Sequence, residues 1–256
     1  MILLKSAREI GLMQDAGRIL AEVVAELRAL VKPGISTLEI DREVEEFICS
    51  RGATPAFKGY RGFPATICTS INEEVVHGIP SVHRRLKEGD IVGLDLGCIV
   101  EGYYADCAIT LTLGDVPPRV QELLDVTRES LDRAIAQCHP GRRLGDVSHA
   151  VQSHVERHGF SVVRAFVGHG IGRSLHEDPQ VPNFGEPGRG PLLKPGMVLA
   201  IEPMVTMGGS QVRVLEDGWT AVTEDGSLSA HFEHTVAITP RGPAVLTRLD
   251  GAEGFA

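Results

Sequence analysis

The sequence has few cysteines and no long apolar run. Five cysteines form no CxxC pair and are odd in number: Cys49, Cys68, Cys98, Cys107 and Cys138. This pattern disfavours a disulfide framework or a zinc ribbon and suits a reducing compartment. The chain contains no stretch of roughly 18 apolar residues, and its first residues lack the apolar core of a signal peptide. We therefore expect a cytoplasmic protein with no membrane partner.

The sequence also has fewer basic than acidic residues. The chain carries 25 Lys and Arg against 34 Asp and Glu, a formal net charge of −9. This balance disfavours broad nucleic-acid binding, so we expect no specific nucleic-acid partner. Low-complexity segments and long linkers are absent, and 43% of the residues are apolar, as in a folded globular protein. We predict a single domain over residues 1–256, with a flexible tail over 251–256.

An internal repeat relates the two halves of the chain. Residues 87–95 (KEGDIVGLD) return as residues 194–202 (KPGMVLAIE), an offset of 107 residues. Asp95 and Glu202 therefore occupy the same position in the two copies. Each half alone would expose its apolar faces, which favours one domain made of two units, approximately 1–110 and 111–250. A duplication of this kind brings the two acids to one axis and suits a shared metal centre.

Helix signals precede strand-like segments in both halves. Ser6-x-x-Glu9 and Ser36-x-x-Glu39 match the capping-box pattern. The predicted helices are residues 6–31, 36–52, 119–137 (preceded by Pro117-Pro118) and 144–158. The predicted strands are Ala65–Ser70, Ile91–Val100, Tyr104–Leu113, Ser161–Val167, Met197–Val205, Thr220–Thr223 and Phe232–Ile238. This grouping predicts an α+β layered fold with antiparallel strands and helices on one face.

Five candidate metal ligands lie in strand-like or Gly-rich settings: Asp95, Asp106, His169, Glu202 and Glu233. A hairpin turn at Glu101-Gly102 would place the first two on paired strands. Four carboxylates cannot be buried together without cations, because each desolvated charge costs several kcal/mol. Two divalent ions would neutralise them, and bridging carboxylates would hold the ions about 3.5–4 Å apart. The donor set suits Mn, Fe, Co or Zn.

A single acid of this kind is more often a solvated strand residue than a ligand. However, Asp95 and Glu202 both lie within apolar runs and at equivalent repeat positions. Among the remaining histidines, His77 and His176 stand beside turn signals and could be ligands, proton shuttles or loop residues. His154 and His158 are four residues apart but lack the Glu of an HExxH site, so we predict a solvated helix face for them.

These motifs together resemble the type I methionine aminopeptidases over essentially the whole chain. The matching segments are Asn72–Pro80 (NEEVVHGIP), Asp95 with Asp106 eleven residues later, Gly168–Gly172 (GHGIG), Ile201–Met204 (IEPM) and Phe232–Thr235 (FEHT). The resemblance implies the pita-bread fold, in which two pseudo-symmetric α+β halves with an antiparallel sheet and helices surround a dinuclear metal site. It also implies one catalytic domain and a monomer.

The resemblance implies a role for each ligand. Asp95 matches a ligand of one metal ion, and Asp106 and Glu233 match the two bridging carboxylates. His169 and Glu202 match ligands of the second ion. The implied reaction is removal of the N-terminal initiator methionine from nascent proteins, with a preference for a small second residue. The nucleophile would be a water activated by the two metal ions.

The resemblance also implies contacts with the substrate. His77 matches a histidine that contacts the scissile amide nitrogen, and His176 matches one that stabilises the carbonyl oxygen. Glu202, or a water-linked neighbour, would pass a proton to the departing amine. The apolar pocket for the methionine side chain is predicted from Tyr60, Phe63, Cys68 and Trp219, with Phe57 and Leu175. The last two depart from the common Cys and aromatic residue, which leaves the pocket width open.

Two further features of the family carry over weakly, and two alternative functions stay open. Asn72 and Ser229 resemble a monovalent-cation site of some relatives, and a ribosome contact is left undecided. A relative of the same fold that cleaves Xaa-Pro bonds is one alternative, although such enzymes usually carry a further N-terminal domain. The other is a catalytically inactive pita-bread protein that binds ribosomes or nucleic acid, which would be expected to have lost metal ligands.

Overall fold

Four α-helices lie within residues 1–249, the part of the chain that the computed structural model describes; the predicted tail over 251–256 falls outside it. Ser6 and Ser36 cap the first two helices, and each forms the predicted capping box, with Glu9 and Glu39 respectively. Pro118 takes the first helical position of the third, where its missing N–H costs nothing. The helices are α1 (Ala7–Leu30), α2 (Thr37–Ser50), α3 (Pro118–Ile135) and α4 (Leu144–Arg157).

The strands of the same range are mostly short. In the first half they are β1 (Thr54–Pro55), β2 (Ile67–Ile71), β3 (Glu74–Val76), β4 (Ile91–Val100) and β5 (Tyr103–Thr112). In the second half they are β6 (Ser161–Val162), β7 (Gly168–Gly170), β8 (Glu177–Val181), β9 (Val198–Ile201), β10 (Met204–Thr206), β11 (Val212–Val214), β12 (Ala221–Thr223), β13 (Ser229–His231), β14 (Glu233–Thr239) and β15 (Gly242–Val245).

The main sheet has nine antiparallel strands within residues 1–249. Its order is β1-β4-β5-β14-β9-β7-β8, with β2 paired to β4 and β15 paired to β14. Two three-stranded sheets, β13-β10-β6 and β11-β12-β3, lie beside it. Helix α1 packs on β4 and β5, and α3 packs on strands of the second half, so the apolar core lies between helices and sheet. The predicted α+β class and antiparallel pairing are confirmed.

The repeat extends to individual backbone hydrogen bonds. Gly34 N donates to Leu86 O at 2.7 Å, and Gly141 N donates to Leu193 O at 3.1 Å. Both members of the second bond lie 107 residues after those of the first. An isolated bridge between Ser36 and Arg85 recurs at the same offset, between Arg143 and Leu192. The two halves therefore fold alike around their first helix breaks.

Three predicted strands are wrong in extent, because the chain passes from one sheet to another within them. The segment 197–205 divides into β9 in the main sheet and β10 in the β13-β10-β6 sheet, with Glu202-Pro203 between them. Pro203 has no N–H to continue the ladder. The segment 161–167 holds only β6 before the chain crosses to β7, and β14 begins at Glu233 rather than Phe232.

The prediction of a solvated face for His154 and His158 is wrong for His154. Its side chain is only 4% exposed, and its Nε2 lies 3.1 Å from Oε2 of Glu129 on α3. The reason is tertiary: this face of α4 packs against α3, which helical spacing alone does not reveal. None of the helices in the described range is both long and apolar enough to cross a membrane.

A buried ion pair fastens the segment before α1 to the second half. Lys5 Nζ lies 2.6 Å from Glu177 Oε2, with side chains 6% and 8% exposed. We expect Lys5→Ala to lower the free energy of unfolding by about 3–5 kcal/mol, because it leaves Glu177 buried without its cation. As a matched control, Lys58→Ala removes the largely exposed pair with Glu45 and should cost less than about 1 kcal/mol. Urea titrations of both variants measure this, and equal losses would contradict it.

Candidate metal centre

One cavity of about 170 Å³ collects the predicted site residues. It has a polar side made of carboxylates and imidazoles and an apolar side made mainly of aromatic rings. Its lining residues are Phe57, Tyr60, Arg61, Phe63, Cys68, His77, Asp95, Asp106, His169, Leu175, His176, Glu202, Trp219 and Glu233. The structure thus brings together every residue that the sequence nominated for metal, catalysis or the side-chain pocket. Arg61 is the lining residue that the sequence did not nominate.

Three of the acids come from adjacent strands of the main sheet. Ala108 on β5 is the cross-strand partner of both Asp95 on β4 and Glu233 on β14. Asp106 precedes Ala108 by two residues on β5, so its side chain lies on the same face of the sheet. The alternation of the strands therefore places three carboxylates on one face, around the middle of β5.

The other two candidate ligands, Glu202 and His169, belong to the second half. Glu202 directly follows β9 at the break before Pro203, and His169 on β7 pairs with Ala200 on β9. Glycines on either side of His169 let β7 fit between its neighbours: a Cβ at Gly168 would lie 2.4 Å from Ala200 O, and one at Gly170 would lie 2.1 Å from Asp178 O. The Gly-His-Gly pattern therefore serves close strand packing around the imidazole.

The donor atoms converge closely enough for shared metal ions. One ligand atom each from Asp106, His169 and Glu233 lie within 4.8 Å of one another. His169 Nε2 lies 3.5 Å from Glu202 Oε1 and 3.9 Å from Asp106 Oδ2. His169 Nδ1 lies 2.9 Å from Gly170 O, which can only accept, so Nδ1 carries the proton and Nε2 keeps its lone pair. A second-sphere bond of this kind prepares an imidazole for metal binding.

The acids of this site fit divalent cations better than any partner within the protein. Among residues 1–249, Asp95 Oδ1, Asp106 Oδ1 and Glu233 Oε1 are buried without a hydrogen-bond partner. Burial raises the pKa of Asp95 to about 7. Burial and the neighbouring carboxylates raise the pKa values of Asp106, Glu202 and Glu233 well above the usual range. Bound cations would give these oxygens a partner and would offset the repulsion between the carboxylates.

The histidines of the cavity are held neutral. Burial and the neighbouring His176 lower the pKa of His169 to about 3 and that of His77 to about 4. Burial and the nearby Arg61 lower the pKa of His176 as well. Tyr60 Oη lies 2.8 Å from His176 Nδ1, and the two rings stack. If the phenol donates this bond, the proton of His176 sits on Nε2.

His77 occupies a strained position at the edge of the site. It follows β3 with a φ of 63°, in the left-handed region that side chains other than glycine seldom adopt. Its ring packs edge-on against Phe166 and Trp219 at centroid distances of 5.5 and 6.1 Å. The surrounding aromatic rings therefore fix an imidazole that the local backbone does not favour.

His231 is a further site neighbour that the sequence did not reveal. It ends β13 and is 3% exposed, and its Nε2 lies 3.8 Å from Glu202 Oε2. Glu202 thus stands between two imidazoles, with Oε1 toward His169 and Oε2 toward His231. The only signal in the sequence is the position of His231 two residues before Glu233, on the other side of a sheet change.

The model of metallopeptidase family M24 matches residues 11–240 of the chain. Taken with the antiparallel fold and the carboxylate-rich cavity, this match defines a metallopeptidase that uses divalent metal ions. The methionine aminopeptidase of Clostridium perfringens is 54% identical over 249 residues, which are 97% of this chain and 100% of that relative. Methionine aminopeptidase 1 of Bacillus subtilis is 53% identical over the same shares of both chains.

The solved structures agree with these relatives. Methionine aminopeptidase from Thermotoga maritima superposes with a TM-score of 0.96 at 50% identity, covering 97% of this chain and 100% of that one. The prolidase from Pyrococcus furiosus, at 25% identity and a TM-score of 0.75, covers 96% of this chain but 66% of its own. The chain belongs to the type I methionine aminopeptidases, and the predicted pita-bread fold and family are confirmed.

The raised pKa values predict how metal changes the response of stability to pH. The folded, metal-free chain keeps protons on buried carboxyl groups that the unfolded chain, with pKa values of about 4, has released. Stability must then fall as pH rises, while the buried histidines are neutral in both states above about pH 7. We expect the melting temperature of the metal-free protein to drop between about pH 7 and pH 8.

Saturating Mn²⁺ should abolish this drop, because the cations replace the protons. Glu233→Gln removes one of the carboxyl groups and should make the metal-free slope shallower. Thermal melts of both proteins, with and without Mn²⁺, measure the effect. Equal slopes in the presence and absence of Mn²⁺ would rule out the proton-holding carboxyl cluster.

Proposed function

We propose that this protein removes the N-terminal initiator methionine from nascent proteins, with a preference for a small second residue, and that Asp95, Asp106, His169, Glu202 and Glu233 hold two divalent ions. The observation that carries the proposal is the single cavity with five metal donors on one side and an apolar slot on the other. An unbranched thioether fits such a slot, and hydrolysis suits the polar side. Mn, Fe, Co and Zn all accept this donor set.

Bound at these residues, the two ions would acidify a water, polarise the scissile carbonyl and anchor the free α-amine, which explains a reaction restricted to chain termini. The resemblance to the family suggests the roles of the side chains, and the neutral state of the two histidines is compatible with these roles. When Tyr60 donates to its Nδ1, neutral His176 carries its proton on Nε2 and would donate a hydrogen bond to the developing oxyanion. His77 would contact the scissile amide nitrogen. Glu202 would pass a proton to the departing amine.

The side-chain pocket is assigned to Tyr60, Phe63, Cys68 and Trp219, with Phe57 and Leu175. Phe63 and Trp219 meet edge to face at 5.1 Å, which forms a firm wall. Phe63, Cys68 and Leu175 are each at most 4% exposed, so a methionine side chain among them would be well desolvated.

We also propose a cellular setting, based on the composition of the chain and its resemblance to the family. The chain would act as a cytoplasmic monomer that contacts the ribosome transiently as nascent chains emerge. A monovalent cation beside Asn72 and Ser229 is a further proposal, supported by their direct contact, in which Ser229 N donates to Asn72 O at 2.9 Å.

The experiment that tests the activity compares three peptides with chelator-stripped protein and added Mn²⁺ or Co²⁺. Met-Gly-Met-Met should release methionine only when metal is present, and its N-acetylated form should be inert, because the terminal amine is then blocked. A Gly-Pro peptide should stay intact. Cleavage of Gly-Pro would move the chain to the Xaa-Pro branch, and no turnover with either metal would favour the binding-module alternative.

A second prediction concerns the donor to the oxyanion. We expect His176→Ala to lower kcat by about 10²- to 10³-fold with a much smaller change in KM, because the lost hydrogen bond forms mainly in the transition state. His83→Ala, at an exposed histidine away from the cavity, is the control and should change neither value. Steady-state kinetics on Met-Gly-Met-Met measure both, and a loss confined to KM would reassign His176 to substrate binding.

A further inference from the structure

The Phe57 ring fills the space into which a side chain at position 97 would project. Gly97 lies on β4 two residues after Asp95, on the same face, and it is the cross-strand partner of Asp106. A Cβ built on Gly97 would lie 2.8 Å from Cε1 of Phe57, closer than real Cβ contacts allow. The ring therefore packs directly on the bare backbone of Gly97, beside the metal ligands.

The backbone that carries the ring is fixed to the same strand. Ala56 N donates to Gly97 O at 2.9 Å, and β1 pairs with β4 through Pro55 and Cys98. Tyr60 N donates to Phe57 O at 2.9 Å and closes the turn that follows. Because these hydrogen bonds hold the backbone on both sides of Phe57, a clash with a Cβ at position 97 can be relieved only by movement of the Phe57 side chain.

The cavity is the open direction for that movement. Phe57 is 7% exposed and belongs to a buried apolar cluster that also contains Met13, Ala65 and Leu175, so little of its surface faces solvent. It also lines the cavity itself. A side chain at position 97 would thus push the ring into the slot, whereas glycine lets the ring lie back against the sheet.

We propose that Gly97 and Phe57 act as a pair that determines the width of the apolar slot, and hence which N-terminal side chains the protein accepts. The inference rests on the proposed function and deepens it. Gly97 limits how far Phe57 narrows the slot, because the bare backbone accommodates part of the ring. The slot then admits a long unbranched side chain and rejects an aromatic one. Gly97 is a specificity-determining residue although it has no side chain.

A double-mutant cycle of Gly97→Ala and Phe57→Ala tests the pair. The readout is kcat and KM for Xaa-Gly-Met-Met peptides whose first residue is methionine, norleucine or phenylalanine, with Mn²⁺-loaded protein. Gly97→Ala should raise KM for the methionine peptide by about 10-fold or more, since misfits of about one methylene have this effect. Phe57→Ala should improve the phenylalanine peptide relative to methionine by about 10-fold.

The double variant should recover KM for the methionine peptide to within about 3-fold of the wild type, because residues in contact are not additive. The new Cβ would still lie 3.1 Å from Cβ of Ala56, so recovery need not be complete. Gly93→Ala is the matched control. Gly93 lies on the same strand and face as Gly97, and a Cβ built on it would lie 3.6 Å from the nearest atoms of Ser70, an ordinary van der Waals distance. It should leave KM unchanged.

Melting temperatures of the metal-free variants give a readout that does not depend on turnover. Gly97→Ala should destabilise the protein in the presence of Phe57 and much less in Phe57→Ala. Additive effects on both KM and melting temperature would overturn the pair. If Gly97→Ala alone does not fold but the double variant does, this result supports the proposed pair. If neither variant folds, the single variant Phe57→Ala is decisive: increased hydrolysis of the phenylalanine peptide supports the pair, and no increase contradicts it. A wild-type protein that releases no methionine would instead refute the proposed function.

Discussion

The electrostatic cost of gathering four carboxylates in one buried place governs this structure. Burial alone raises the pKa of each acid, and the acids raise one another further. Three of their oxygens have no hydrogen-bond partner in the described part of the chain. A folded protein tolerates such a cluster only when many contacts elsewhere hold its strands in place. The cluster in turn explains why divalent cations would bind strongly, since they relieve repulsion that the fold has already imposed.

The duplicated architecture supplies the scaffold for this cluster. Asp95 and Glu202 stand at equivalent positions, but their settings differ, because β4 continues through Asp95 whereas β9 stops before Glu202. Glu202 and Glu233 both lie where the chain changes from one sheet to another. The antiparallel pairs Met204–His231 and Ile201–His234 flank that change and bring the two acids together. The repeat thus positions one candidate ligand in each half, the sheet change adds Glu233, and strands β5 and β7 of the main sheet supply Asp106 and His169.

Much of this could be predicted from sequence, because the signals are local. A charge within an apolar strand, a histidine between glycines and a capping box each depend on a few neighbouring residues, and they indicated the candidate ligands, the starts of α1 and α2 and the family. Signals that depend on packing could not be read. The burial of His154 depends on α3, the contact of His231 with Glu202 spans two sheets, and the ends of β9 and β14 depend on which sheet accepts the chain.

The apolar side of the cavity follows a different logic from the metal side. Metal ligands are specified by their own functional groups, so their identity alone carries information. The shape of a slot is specified by what surrounds its walls. Phe57 considered alone suggests a narrow slot, and only the absence of a side chain at Gly97, forty residues later, shows where its ring can lie. Chemistry in this fold is therefore predictable residue by residue, whereas selectivity is a property of pairs that only the folded chain brings into contact.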